Sequence, residues 1–305
     1  MSNVSHGGVL VALDGSSFAE QAIPYALAVR AGRELILMRA SDPYTTSMPP
    51  ELLPGMAVRL AEALAEESRH YLKSVAQLLE ARGVPTRLAL AGGHPRDAIV
   101  EAAREWSADM IVMCSHGRSG VARWLLGSIA EAVLRRAPCP VLLVRAEDRE
   151  TPLEVLLEHP LPCLKSALVP LDGSDHSETA LPLALSFKPE RLVLLRATDL
   201  PPGDPLDEVD AEAREGMLLQ IEAYLRKVAE RTRAAGLEVG QRGVDGGAAE
   251  TILEAADLDR CNLVTLATHG RTGLQRYLMG SVAERVLRHA RCPVLVTNPQ
   301  AASSS

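Results

Sequence analysis

The chain has few aromatic side chains: two Phe, two Trp and five Tyr make up 3% of its 305 residues. It has no excess of positive charge either, with a net charge of −7. Nucleic-acid binding needs a basic field and often stacking rings, so that class is excluded. No run of 18 apolar residues occurs, so no membrane-spanning helix is expected. The N-terminal M-S-N-V-S-H-G-G lacks the charged-then-apolar pattern of a secretory signal, and a cytoplasmic protein is expected. The five cysteines are scattered without pair spacing. They read as small buried thiols in a reducing compartment.

Several catalytic signatures are missing as well. There is no G-x-x-x-x-G-K-[S/T] loop and hence no P-loop lysine. Gly117-Arg118-Ser119-Gly120 lacks the spacing of a nucleophile elbow. His116 and His269 have no second ligand at metal spacing and are expected to be held by turn hydrogen bonds. No catalytic residue and no metal site in the protein is expected.

What the sequence has is a long internal repeat. Ser115 to Val144 returns as Thr268 to Thr297, 153 residues apart throughout and without a gap. That period suits a whole domain, and a length prior of roughly 150 residues per domain agrees. The domains are expected at 1–146 and 165–300, with a linker over 147–164 and a small polar tail from Ala301. Hydrophobic content of 47% is enough for two sizeable cores.

Each half alternates short apolar runs with amphipathic stretches. Val9 to Leu13 ends in Asp14-Gly15-Ser16, and Ala167 to Leu171 ends in Asp172-Gly173-Ser174. Such runs suit buried parallel strands. Ser17-x-x-Glu20 reads as a capping box opening a helix with Ile23, Leu27 and Ala31 on one face, bent at Pro24. Asp175 and Glu178 take the places of that capping pair in the second half. Leu60, Leu64, Tyr71, Val75 and Leu78 mark a long helix that Gly83 stops. The fold class is α/β, with a doubly wound parallel sheet in each half. Ligands bind such sheets outside the carboxyl ends of the strands.

A glycine-rich loop opening into a helix favours an anion through free N–H groups and the helix dipole. Gly127-Ser128 and Gly280-Ser281 supply that pattern. Ser128-x-x-Glu131 and Ser281-x-x-Glu284 also read as plain capping boxes, and both readings stay open here. Arg118 and Arg271 suit a phosphate or solvent equally.

Together, V-A-L-D-G-S and V-P-L-D-G-S, the C-S-H-G and A-T-H-G turns, the nine-residue spacer, the G-S pair and the closing C-P-V-L strand resemble the universal stress protein family in its tandem form. The resemblance implies two domains of the adenine nucleotide alpha hydrolase type, each a five-stranded parallel sheet with its first and fourth strands adjacent. It implies ATP binding, with Mg2+ as the accompanying ion. The implied contacts are Asp14, Ala40, Gly117, Gly127, Ser128 and Ile129 in the first half. In the second they are Asp172, Ala197, Gly270, Gly280, Ser281 and Val282. Cys114 and Ala267 stand where the family's motif has its first glycine, so a side chain is expected to face each turn.

The function expected is that of a stress-response protein acting through nucleotide binding, at most a very slow ATPase. The alternative is an interaction or chaperone-like module whose loops are structural. Expected partners are an adenine nucleotide and no nucleic acid or membrane. The closing strands Pro140 to Val144 and Pro293 to Thr297 are expected to pair as an intramolecular pseudo-dimer, with a homodimer left open. Asp199, Asp204, Asp207, Glu208 and Asp210 crowd one loop of the second half, so the first half is expected to bind ATP more readily.

Overall fold

The structure is a computed structural model of the whole chain. It describes residues 7–41, 54–115, 126–147, 149–200, 208–233, 236–267 and 279–297. The chain forms two compact units, Met1–Pro162 and Cys163–Ser305.

The first unit runs β1 (Val9–Leu13), α1 (Ser17–Glu20), α2 (Ala22–Val29), β2 (Leu35–Ser41), α3 (Pro54–Glu80), β3 (Thr86–Gly92), α4 (Pro95–Glu105), β4 (Met110–Cys114), α5 (Ser128–Arg136), β5 (Val141–Val144) and α6 (Leu153–Leu156). All its strand pairs are parallel, in the order β3-β2-β1-β4-β5. Chain order reverses between β2 and β4, around β1, and that places the carboxyl ends of β1 and β4 side by side. The strands β1 and β4 are buried from end to end, as a sheet covered on both faces requires.

The second unit repeats the plan with β6 (Ser166–Pro170), α7 (Asp175–Glu178), α8 (Ala180–Ser186), β7 (Arg191–Ala197), α9 (Glu208–Thr232), β8 (Glu238–Val244), α10 (Ala248–Leu258), β9 (Leu263–Ala267), α11 (Ser281–His289) and β10 (Val294–Thr297). Its order is β8-β7-β6-β9-β10, again parallel throughout.

Several local expectations are corrected. The cap of α1 is Ser16, whose hydroxyl accepts from Ala19 N–H, and not Ser17. Ser174 does the same for α7, in place of Asp175. Glu20 and Glu178 therefore do not close capping boxes. The helix after β1 breaks at Gln21, ahead of Pro24, because proline has no N–H to give to the carbonyl four residues back. The inner face of α2 is Ala22, Ile23, Ala26 and Val29. Leu27 is half-buried, and Ala31 lies past the helix with φ of 48°. In α3 the buried stripe is Leu72, Val75, Ala76 and Leu79, with Leu60, Leu64, Tyr71 and Leu78 half-buried beside it. Gly83, at φ of 72°, ends that helix in the left-handed turn that suits glycine. The segment after β5 is fastened to the first unit: Gln21 is buried, accepts from Glu147 N–H and donates to the Arg149 carbonyl.

Candidate functional site

The turn after the first strand of each unit is built the same way. The Oδ1 atom of Asp14 accepts from the Ser16 N–H at 2.9 Å and from its hydroxyl at 2.6 Å. Asp172 and Ser174 repeat both distances. This is an Asx turn, which fixes the carboxylate at the carboxyl edge of the sheet. Gly15 and Gly173 sit at φ of 87° and 88°, where a side chain would be strained.

The glycine-serine pairs open α5 and α11. Gly127 and Gly280 are the caps, and neither helix has a side-chain cap hydrogen bond. Ser128 and Ser281 are the first helical residues, so the capping-box reading of both serines is overturned. Glu131 and Glu284 pair instead with Arg135 and Arg288 one turn on. The first intrahelical bonds are Glu131 N–H to Gly127 and Glu284 N–H to Gly280. The N–H groups of the three preceding residues come before them and point out of the helix end. Gly127 also meets a packing demand: a Cβ there would lie 2.8 Å from the Ser115 carbonyl oxygen.

In the second unit these parts enclose one cavity of about 740 Å3. Asp172, Ala197, Gly280, Ser281 and Val282 line it, together with Ala267 and the apolar side chains Ile221 and Ile252. Asp199, from the acidic loop expected near the crevice, lines it as well, and so do Arg196 and Gln220, which sequence reasoning missed. In the first unit Asp14 follows β1, Ala40 lies at the carboxyl end of β2, and Gly127, Ser128 and Ile129 open α5. Gly117 and Gly270 lie outside the described residues. So do Arg118, Arg271, His116 and His269.

The thiol of Cys114 is buried and directed at the Ala19 carbonyl of α1, 3.9 Å away, and so is accommodated against that helix. Burial pushes its pKa well above the ordinary thiol range. Asp199 is also engaged: its carboxylate accepts from Ala248 N–H at 3.0 Å and caps α10. Asp245 is held by Arg214 and by the Thr198 hydroxyl. Its carboxyl lies below the usual range, first because Thr198 donates to it. Asp204 and Asp207 lie outside the described residues.

Behind each Asx turn stands an arginine. Arg39 lies opposite Leu13 in the β1–β2 register, and its guanidinium covers the Tyr71 ring at 5.1 Å. Arg196 covers Tyr224 at 4.9 Å. The tyrosine hydroxyls donate to Glu20 and Glu178, each at 2.9 Å. Burial raises the pKa of Glu20, and the hydrogen bond from Tyr71 opposes it. Arg39 also pairs with Glu67 at 3.2 Å, and the matching position on α9 is Gln220.

Among the described residues, no helix is long and apolar enough to cross a membrane. No group of three His, Cys, Asp or Glu side chains there could hold a metal ion.

The sequence profile of the universal stress protein family matches residues 7–145 and again 164–298. A universal stress protein of Mycobacterium tuberculosis is 30% identical over 302 residues, covering 95% of this chain and 96% of its own. One of Mycolicibacterium smegmatis is 29% identical over 310 residues, covering 96% and 97%. The crystal structure of a universal stress protein from Archaeoglobus fulgidus superposes with a TM-score of 0.68 at 20% identity, covering 95% of this chain and 97% of that one. That likeness supports the fold, and the paired profile matches and full-length relatives agree with the duplicated Asx turns and glycine-serine helix starts: the chain belongs to the universal stress protein family, in a tandem form with two such domains.

Proposed function

We propose that the chain is a nucleotide-binding module that takes ATP at the carboxyl edge of each sheet and acts through occupancy, with turnover slow or absent. The observation that carries this is the second unit's cavity, where a fixed carboxylate, an apolar wall and an uncapped helix start meet. Its volume lies within the ~300–1,000 Å3 usual for small-molecule sites. Asp172 holds the adenosine, the apolar side chains cover the base, and the N–H groups of Val282 and Ala283 with the Ser281 hydroxyl take the phosphates. Asp14, Ala40, Gly127, Ser128 and Ile129 serve the same roles in the first unit. Gly117 and Gly270 belong to the phosphate loops on the strength of the family motif. Magnesium enters on the phosphates, since the described residues offer it no cluster of their own.

Backbone N–H groups position phosphates but activate no water, which is why hydrolysis is not part of the proposal. One observation favours the purely structural reading of the loops: Gly127 has a packing reason to be glycine. That reason does not account for two helices that start without side-chain caps beside strands whose neighbours end in Asx turns. The test is the ligand that leaves with the protein. Denatured, freshly purified chain is expected to release adenine nucleotide, identified by chromatography, and added ATP is expected to turn over far below the enzyme median of about 10 per second. Ligand-free protein that also fails to take up added ATP would contradict the proposal.

A further inference from the structure

Each Asx turn rests on the same four-part stack. The guanidinium of Arg39 lies over the Tyr71 ring, 5.1 Å away, and close to Gly15. A Cβ on Gly15 would fall 3.1 Å from the central carbon and both terminal nitrogens of that guanidinium. In the second unit a Cβ on Gly173 would fall 2.6 Å from Arg196 Nη1, with the Tyr224 ring 4.9 Å away. The glycine therefore leaves room for an arginine as well as supplying the positive φ. The tyrosine is fixed in turn, because its hydroxyl donates to Glu20 or Glu178, in the short helix that leaves the turn. The loop of contacts closes on itself: turn, arginine, tyrosine, glutamate, helix, turn. The Arg39 side chain is 7% exposed, so its charge is buried beneath the Asp14 turn. The second copy keeps this stack with Gln220 at the position of Glu67, so the stack does not depend on the Glu67 contact and points to a role at the turn the two copies share.

We infer that Arg39 and Arg196 are positioning residues for nucleotide recognition: each braces the Asx turn so that Asp14 or Asp172 meets the adenosine at a fixed place. This rests on the proposed binding of adenine nucleotide at these turns. A planar cation suits the task, since its flat guanidinium stacks on an aromatic ring and fits the space a glycine leaves. Lysine keeps the charge but has no plate to fill that gap. The arginine stands on β2 or β7, and the first strand of the unit lies between it and the strand that leads to α5 or α11. Its loss should therefore weaken adenosine and ATP alike.

The experiment is a double-mutant cycle on the full chain, with both copies changed together. The forms compared are the parent, Arg39→Met with Arg196→Met, Asp14→Asn with Asp172→Asn, and the chain carrying all four changes. Circular dichroism and melting temperature establish folding, and Arg39→Lys with Arg196→Lys replaces the methionine pair if that pair does not fold. Affinity for adenosine and for ATP is read by calorimetry. The arginine changes are expected to cost about tenfold in affinity for both ligands, within the range found for groups in contact. In the asparagine background they are expected to cost almost nothing more, because the arginine acts through the aspartate. A loss confined to ATP would make the arginine a phosphate ligand and overturn the inference. Unchanged affinity, or losses that multiply independently of the aspartate, would overturn it while leaving nucleotide binding intact. A parent chain that binds neither ligand overturns both.

Discussion

At the residue scale, Ser281 separates binding from stability. It is the first residue of α11, where a carboxylate suits the helix dipole by about 0.3–1 kcal/mol. The same carboxylate would repel a phosphate: a like-charge pair at 4 Å costs on the order of 4 kcal/mol at an effective dielectric of about 20. Ser281→Asp is therefore expected to melt at or above the parent temperature while ATP affinity at that site falls by more than about a hundredfold. Gly127→Asp is a poorer probe, because its Cβ would strike the Ser115 carbonyl whether or not phosphate binds there. Tyr71→Phe removes the donor that opposes the burial of Glu20. The lost hydrogen bond is worth about 1 kcal/mol. Because the folded pKa of Glu20 is raised, its ionisation costs stability as pH climbs above the unfolded value of about 4.3, and the variant raises that cost. Urea melts should show the smallest gap between variant and parent below about pH 4 and a widening gap toward neutrality; a gap that narrows with rising pH would contradict this. The aspartates and glycine-serine pairs were legible in the sequence because each is a short local pattern. Arg39 and Tyr71 were not, since 32 positions separate them and nothing local marks either as a partner.

At the element scale, apolar runs and the repeat made the strands readable and the family resemblance implied their order, while helix starts were misplaced by one residue. In S-S-F-A-E and S-D-H-S-E two neighbouring residues can each cap. Proline at the third position of α2 and α8 then decides where the helix breaks, by the hydrogen bond it cannot make. Charge was the harder element to read. Five carboxylates in and after one loop looked like a field opposing phosphate in the second unit. Asp199, the first of them, is instead the side chain that caps α10, at φ of 59°. Asn accepts the same hydrogen bond and tolerates that backbone, so Asp199→Asn should leave the melting temperature unchanged and raise ATP affinity by removing a charge from the cavity wall. Asp199→Ala should cost about 1 kcal/mol or more, from the lost cap and the left-handed backbone together. Equal stability of the two variants in a thermal melt would show that the cap contributes nothing.

At the scale of the whole molecule, the duplication is the main fact. Both units place an Asx turn and an uncapped helix start at the carboxyl edge of a parallel sheet, yet their walls differ. Glu67 pairs with Arg39 where α9 has Gln220, and Cys114 stands where β9 has Ala267. Two sites of unequal affinity are expected from those differences, and a titration that fits a single affinity would contradict it. The repeat made the two-unit plan readable from the sequence alone. The walls were not readable, because they are assembled from α3 or α9 and from strand ends distant in the chain. Calorimetric titration of ATP into the full chain, beside Ser281→Asp and the double variant Ser128→Asp with Ser281→Asp, tests nucleotide binding at the two helix starts most directly. The parent is expected to bind saturably, the single variant to lose one component and the double variant to lose both; no saturable binding to the parent, or binding unchanged in the double variant, would contradict binding at these sites.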